Sequence, residues 1–246
     1  MSFPALGGVV LMPVAEVGFT WQQALGAFAI ITVAAFLVTW VLTDLLQIPR
    51  TPYIPMLLVL ALALGAGYVA WSGTSARELF SDGVGWGVAA GLIAAAMAVP
   101  LVQHLPPHPH PTGSRLAELM VWEGLVYGIA EGVLLSTLPV LVIWQALGDL
   151  GWTDGGWAKI GAGVLAILGS LLVILVHHLG YAEFRGKEGR MGLFGALGVC
   201  GIQAIAFLAT GSVLAPMIAH IVLHGQLLVR GEELPPAVHA RTAYSM

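Results

Sequence analysis

Charged residues in this chain cluster at intervals, and the stretches between them are long and apolar. Val17 to Thr43 runs without a charge between Glu16 and Asp44. A second run lies between Arg50 and Arg77, centred on Tyr53 to Trp71, and a third is apolar from Val84 to Val102. A fourth, Leu116 to Leu147, carries Glu118, Glu123 and Glu131, and Ile160 to Ala182 is the fifth. Met191 to Val229 then lacks Asp, Glu, Lys and Arg for about 39 residues, nearly twice the roughly 20 that cross a bilayer. It must fold back, and Thr210-Gly211-Ser212 is the polar turn signal inside it. The pattern predicts an all-α polytopic transmembrane helical bundle of about seven spans.

The fourth run decides the number. Its roughly 32 residues would reach about 48 Å as one helix, too long for an upright span. Gly128, Gly132 and Pro139 are places to kink or break it, and a double crossing would make eight spans. Lys and Arg favour one crossing, because cytoplasmic loops carry their excess. With seven spans and the N-terminus outside, Arg50, Arg115, Arg185, Lys187, Arg190, Arg230 and Arg241 fall in the cytoplasm, against Arg77 and Lys159 outside. Trp21, Trp71, Trp86, Trp144, Trp152 and Trp157 then form an outer aromatic belt.

Composition agrees. Apolar residues are 58% of the 246 and charged residues 9%, where a soluble domain has about 25% charged. That excludes a soluble enzyme and a disordered chain. A formal net charge of −4 offers nucleic acid no basic face. One cysteine, Cys200, excludes an internal disulfide and reads as a small packed residue. The first residues lack a basic region, so no secretory signal is expected, and the last show no lipidation motif. Residues 1–104 read as a three-span scaffold, 105–114 as a Pro/His-rich cytoplasmic linker, 115–229 as the functional half and 230–246 as a cytoplasmic tail. His104, His108 and His110 in and beside the linker read as solvated. Gly192, Gly195, Gly198 and Gly201 predict that the sixth span packs closely among its neighbours, away from lipid.

The informative residues are those hydrocarbon should reject. Glu123 and Glu131 lie in the fourth run, His177 and His178 near the end of the fifth, and His220 and His224 in the seventh. Four residues apart, His220 and His224 share a helix face. Glu123 and Glu131 stand roughly 80° apart on the wheel with Tyr127 between them, and the adjacent His177 and His178 differ by about 100°, so one of that pair points inward. Such a set can line a single cavity open to the cytoplasm.

These residues carry a resemblance over 123–229. His178-Leu-Gly-Tyr, a basic loop, a Gly-rich span and Thr210-Gly-Ser-Val-Leu-Ala-Pro-Met-Ile-Ala-His220 resemble the later motifs of the CPBP family, the CAAX prenyl-protease and bacteriocin-processing intramembrane proteases. The family's Glu-Glu-x-x-x-Arg stands here as Glu131-Gly132-Val-Leu-Leu-Ser136. Its Phe-x-x-x-His stands as Ile174-Leu-Val-His-His178, and its His-x-x-x-Asn as His220-Ile-Val-Leu-His224. The resemblance implies that Glu131 activates water, His178 orients it, and His220 with His224 stabilises the oxyanion, with Glu123, Tyr127 and His177 in support. The substrate would be a membrane-embedded or lipid-modified peptide cleaved from the cytoplasmic side of a prokaryotic plasma membrane.

The missing second Glu, Arg and Asn keep two other readings open. One is an inactive relative serving as a binding or scaffold subunit of a membrane complex. The other is a metal-dependent enzyme, with Glu131, His178, His220 and His224 as ligands to an ion such as Zn. The first reading needs no cofactor, and all three have membrane lipid as surroundings.

Overall fold

The computed structural model describes residues 20–81, 83–103, 109, 111–187 and 189–231. The linker histidines His104, His108 and His110, Arg241, residues 1–19 and most of the tail lie outside them. Every regular element among the described residues is helical: α1 Trp21–Leu45, α2 Arg50–Ser72, α3 Ala76–Ser81, α4 Val84–Gln103, α5 Gly113–Asp149, α6 Gly156–Gly180, α7 Ala182–Arg185, α8 Gly189–Thr210 and α9 Leu214–Val229. Six of them, α1, α2, α4, α5, α6 and α8, are long and apolar enough to cross a membrane. The chain is an integral membrane protein. The seventh expected span, α9, has 16 residues and a length of about 24 Å, short of a bilayer core of about 30 Å.

The fold-back falls where the turn signal lies. Gly211 adopts a left-handed φ of 68°, the Thr210 hydroxyl accepts from Ser212 N–H, and Val213 N–H bonds Leu79 O. The last of these ties the start of α9 to α3.

The fourth run is one helix of 37 residues, α5, and most of it is buried inside the bundle. Crossing twice would need a turn, and none interrupts it. Pro139 does not break it, for a visible reason. Proline supplies no N–H for the carbonyl four residues back, and Ser170 Oγ of α6 donates to that carbonyl, Leu135 O, at 2.7 Å. The helix absorbs the extra length by widening to i→i+5 turns at Met120–Val126 and Gly132–Thr137. Such widened turns recur at functional sites. Between them stands one ordinary turn, Tyr127–Glu131.

Two expectations need correction. Trp144 is no interfacial anchor: it faces the core at 3% exposure, because the long buried α5 carries it inward. Trp21, Trp71, Trp86, Trp152 and Trp157 are exposed, as a belt requires. Of the α8 glycines, Gly195 and Gly198 are not close-packed, since a Cβ there would meet nothing within 4 Å, whereas one at Gly192 or Gly201 would meet the side chain of Phe184 at 3.1 Å or of Leu171 at 3.5 Å. On the seam between α5 and α9 the tight glycines are Gly128 and Gly132 of α5, four apart on one face. A Cβ at Gly128 would stand 2.8 Å from the backbone of Ile221, and one at Gly132 would stand 2.9 Å from that of Met217. Small residues let two backbones meet where lipid supplies no hydrophobic drive. Here they seat α9 directly on α5.

Candidate functional site

Glu131 ends the ordinary turn of α5, flanked by Gly128 and Gly132, so its carboxylate opens at the seam with α9. There Oε2 lies 3.0 Å from His224 Nε2 and 4.0 Å from His220 Nε2. From α6, His177 Nε2 comes to 3.5 Å of Oε1. All four side chains are buried, each under 9% exposed. Two helices, α6 and α9, thus aim three imidazoles at one carboxylate on α5.

Each ring is aimed from behind by a backbone carbonyl. His220 Nδ1 bonds Pro216 O at 3.2 Å, His224 Nδ1 bonds Glu123 O at 3.0 Å, and His177 Nδ1 bonds Ala35 O of α1 at 3.1 Å. The close approach of α6 to α1 is allowed by Gly180, where a Cβ would meet Thr39 at 2.7 Å. A carbonyl only accepts, so Nδ1 carries the proton in all three rings and Nε2 faces the carboxylate.

Of the adjacent histidines, the inward one is His177. His178, expected to orient water, makes no ion-pair contact with Glu131. A one-residue step turns its ring by about 100°. It bonds Ile174 O at 2.8 Å and packs edge-on against Phe184 at 4.9 Å. The motif therefore registers on Val173 and His177.

Around this centre lie residues the sequence did not single out. The Tyr181 hydroxyl is 2.8 Å from those of both Tyr53 and Tyr127 and 3.4 Å from His177 Nε2. Tyr127, expected in support, also packs edge-on against the His224 ring at 4.8 Å. Cys200 Sγ stands 3.7 Å from His220 Nε2, so the cysteine is more than a packed small residue. Arg50 pairs with Glu123 at 2.8 Å, so that carboxylate is buried and matched, not solvated. The scaffold half is accordingly part of the site, through Ala35, Arg50 and Tyr53. A charge such as Arg50 at the edge of a span was a usable signal. Tyr53 and Tyr181 had none, because aromatic residues are ordinary in membrane helices.

Among the described residues no group of three or more His, Cys, Asp or Glu is arranged to hold a metal ion. At 3.0 Å the Glu131–His224 contact is within hydrogen-bond range. At Ser136, the place of the motif's Arg, the hydroxyl is fully buried and points to Gln203 Oε1 at 3.5 Å. In comparisons with known proteins, no family model, no curated protein and no solved structure matches the chain.

Proposed function

We propose that this protein is an intramembrane peptidase of the CPBP kind, acting on a membrane-embedded or lipid-modified peptide at the cytoplasmic side of a prokaryotic membrane. The observation that carries the reading is the buried Glu131 carboxylate with three Nε2 atoms at 3.0–4.0 Å, delivered from α6 and α9 in the order of the family's motifs. In this reading Glu131 takes a proton from water as the water oxygen bonds the scissile carbonyl carbon. The carbonyl electrons move to its oxygen, which His224 stabilises when its Nε2 is protonated. Collapse breaks the C–N bond, and the amine leaves with the proton that Glu131 had taken.

The test is cleavage by the purified chain in nanodiscs, followed by mass spectrometry. It is offered one transmembrane peptide and one peptide with a prenylated C-terminal cysteine. Cleavage of either, lowered about 10²–10⁴-fold by Glu131→Gln, supports the reading. No cleavage of both, or equal cleavage by the variant, overturns it.

A second reading has its own observation. Gly132 is pressed on the Met217 backbone, so this fold has no place for the motif's second acid. That suits an inactive relative acting as a subunit of a membrane complex. Stable co-purification with a partner, together with absent cleavage, would favour it.

A further inference from the structure

Donors and acceptors in the buried centre leave one contact unexplained, and it is the shortest that Glu131 makes with a histidine. His220 and His177 are satisfied without Glu131. Nδ1 of each donates to a carbonyl, and Nε2 of each has a donor of its own, the Cys200 thiol at 3.7 Å and the Tyr181 hydroxyl at 3.4 Å. Tyr181 has that proton to give because its oxygen can accept from both Tyr53 and Tyr127 at 2.8 Å. His224 differs. Its Nδ1 proton is committed to Glu123 O, so a neutral ring presents a lone pair from Nε2. At 3.0 Å that lone pair meets Glu131 Oε2, and an ionised carboxylate also has only lone pairs. Two acceptors do not approach to 3.0 Å unless a proton lies between them.

We propose that Glu131 and His224 form a proton-binding site that holds one shared proton in the resting protein. The ligand is the proton itself, held on the Oε2–Nε2 line, and Glu131 Oε1 is left facing His177. With the proton on nitrogen, Glu131 is a carboxylate base beside an imidazolium. With the proton on oxygen, the pair is neutral acid and neutral imidazole. The groups facing the pair are Arg50 and Tyr53 from α2, Glu123 and Tyr127 from α5, and His177 and His178 from α6. Tyr181 follows α6, Cys200 comes from α8 and His220 from α9 itself. Arg50 and Glu123 pair with each other at 2.8 Å. The inference stands on donor and acceptor geometry and is independent of which bond the centre cleaves.

The test is nitrogen-15 NMR of histidine-labelled full-length protein in nanodiscs at neutral pH, with His224 assigned by the signals lost in His224→Gln. The expected result is a protonated Nδ1, and an Nε2 resonance shifted from that of a free lone pair toward the protonated position. In Glu131→Leu that shift should vanish while Nδ1 stays protonated. A His224 ring carrying its single proton on Nε2 overturns the proposal, since the ring would then be an ordinary donor to the carboxylate. So does an Nε2 signal that Glu131→Leu leaves unmoved. Should that variant fail to fold, the wild-type tautomer alone decides. The measurement needs no substrate, so a protein that cleaves nothing can still pass it.

Discussion

Adding one methyl group at Gly128 tests the seam on which the site depends. The new Cβ would lie 2.8 Å from Ile221 Cα and N, and a helix backbone cannot rotate aside as a side chain can. Reaching an ordinary 3.4 Å contact separates α5 from α9 by about 0.6 Å. That costs about 1–3 kcal/mol for overpacking, offset by about 0.5–1 kcal/mol from the better helix propensity of alanine. It also stretches the 3.0 Å Glu131–His224 contact beyond hydrogen-bond range. The control is Gly195→Ala on α8, where a Cβ meets nothing within 4 Å, so only the propensity gain remains. Reversible unfolding in detergent, followed by far-ultraviolet circular dichroism, compares the two. Gly128→Ala should unfold more readily than wild type, and Gly195→Ala should match or exceed it. Equal destabilisation by both would refute the α5–α9 seam and restore the α8 glycines as the close-packing face.

The remaining predictions are briefer. His177→Ala should reduce peptide cleavage far more than His178→Ala, measured on the same peptides by mass spectrometry. Arg50→Met should destabilise by about 3–5 kcal/mol in an unfolding titration, because it strands the buried Glu123 carboxylate, and adding Glu123→Gln should recover much of the loss. Ser170→Ala removes the donor to Leu135 O and should cost about 1–3 kcal/mol, with the change in α5 visible as faster hydrogen exchange around Pro139.

How much of this was legible follows from what each signal measures. The spans show because hydrocarbon rejects charge, and the 3.6-residue period put His220 and His224 on one face. The same period said that His177 and His178 diverge but not which turns inward. That choice is made by Gly180 against Thr39 and by Ala35 O, contacts 138 and more residues away in sequence. The glycines misled for a related reason. A run every three residues in α8 and one every four in α5 are equally plain to read, but only the partner helix decides which is pressed on a backbone. Trp144 failed because an interfacial rule assumes a helix end at the membrane surface, whereas α5 is 37 residues long and buried.

Under the proposed CPBP reading, the three departures from the motif fit together once the packing is known. The motif's second acid would sit at Gly132, where even a methyl group lies 2.9 Å from Met217 Cα, so the tight α5–α9 seam and that acid exclude each other. With the acid gone, an arginine at position 136 would be a buried cation without its partner, which is strongly unfavourable, and a neutral serine stands there instead. The loss of both leaves Glu131 with no fixed positive charge beside it. An asparagine at position 224 would give it a neutral hydrogen bond but no charge, whereas a histidine can carry a proton. In that reading Gly132 and Ser136 are one charge-neutral loss made in two places, the first packing the helices and the second avoiding a stranded cation, and His224 gives Glu131 a partner that can take a proton.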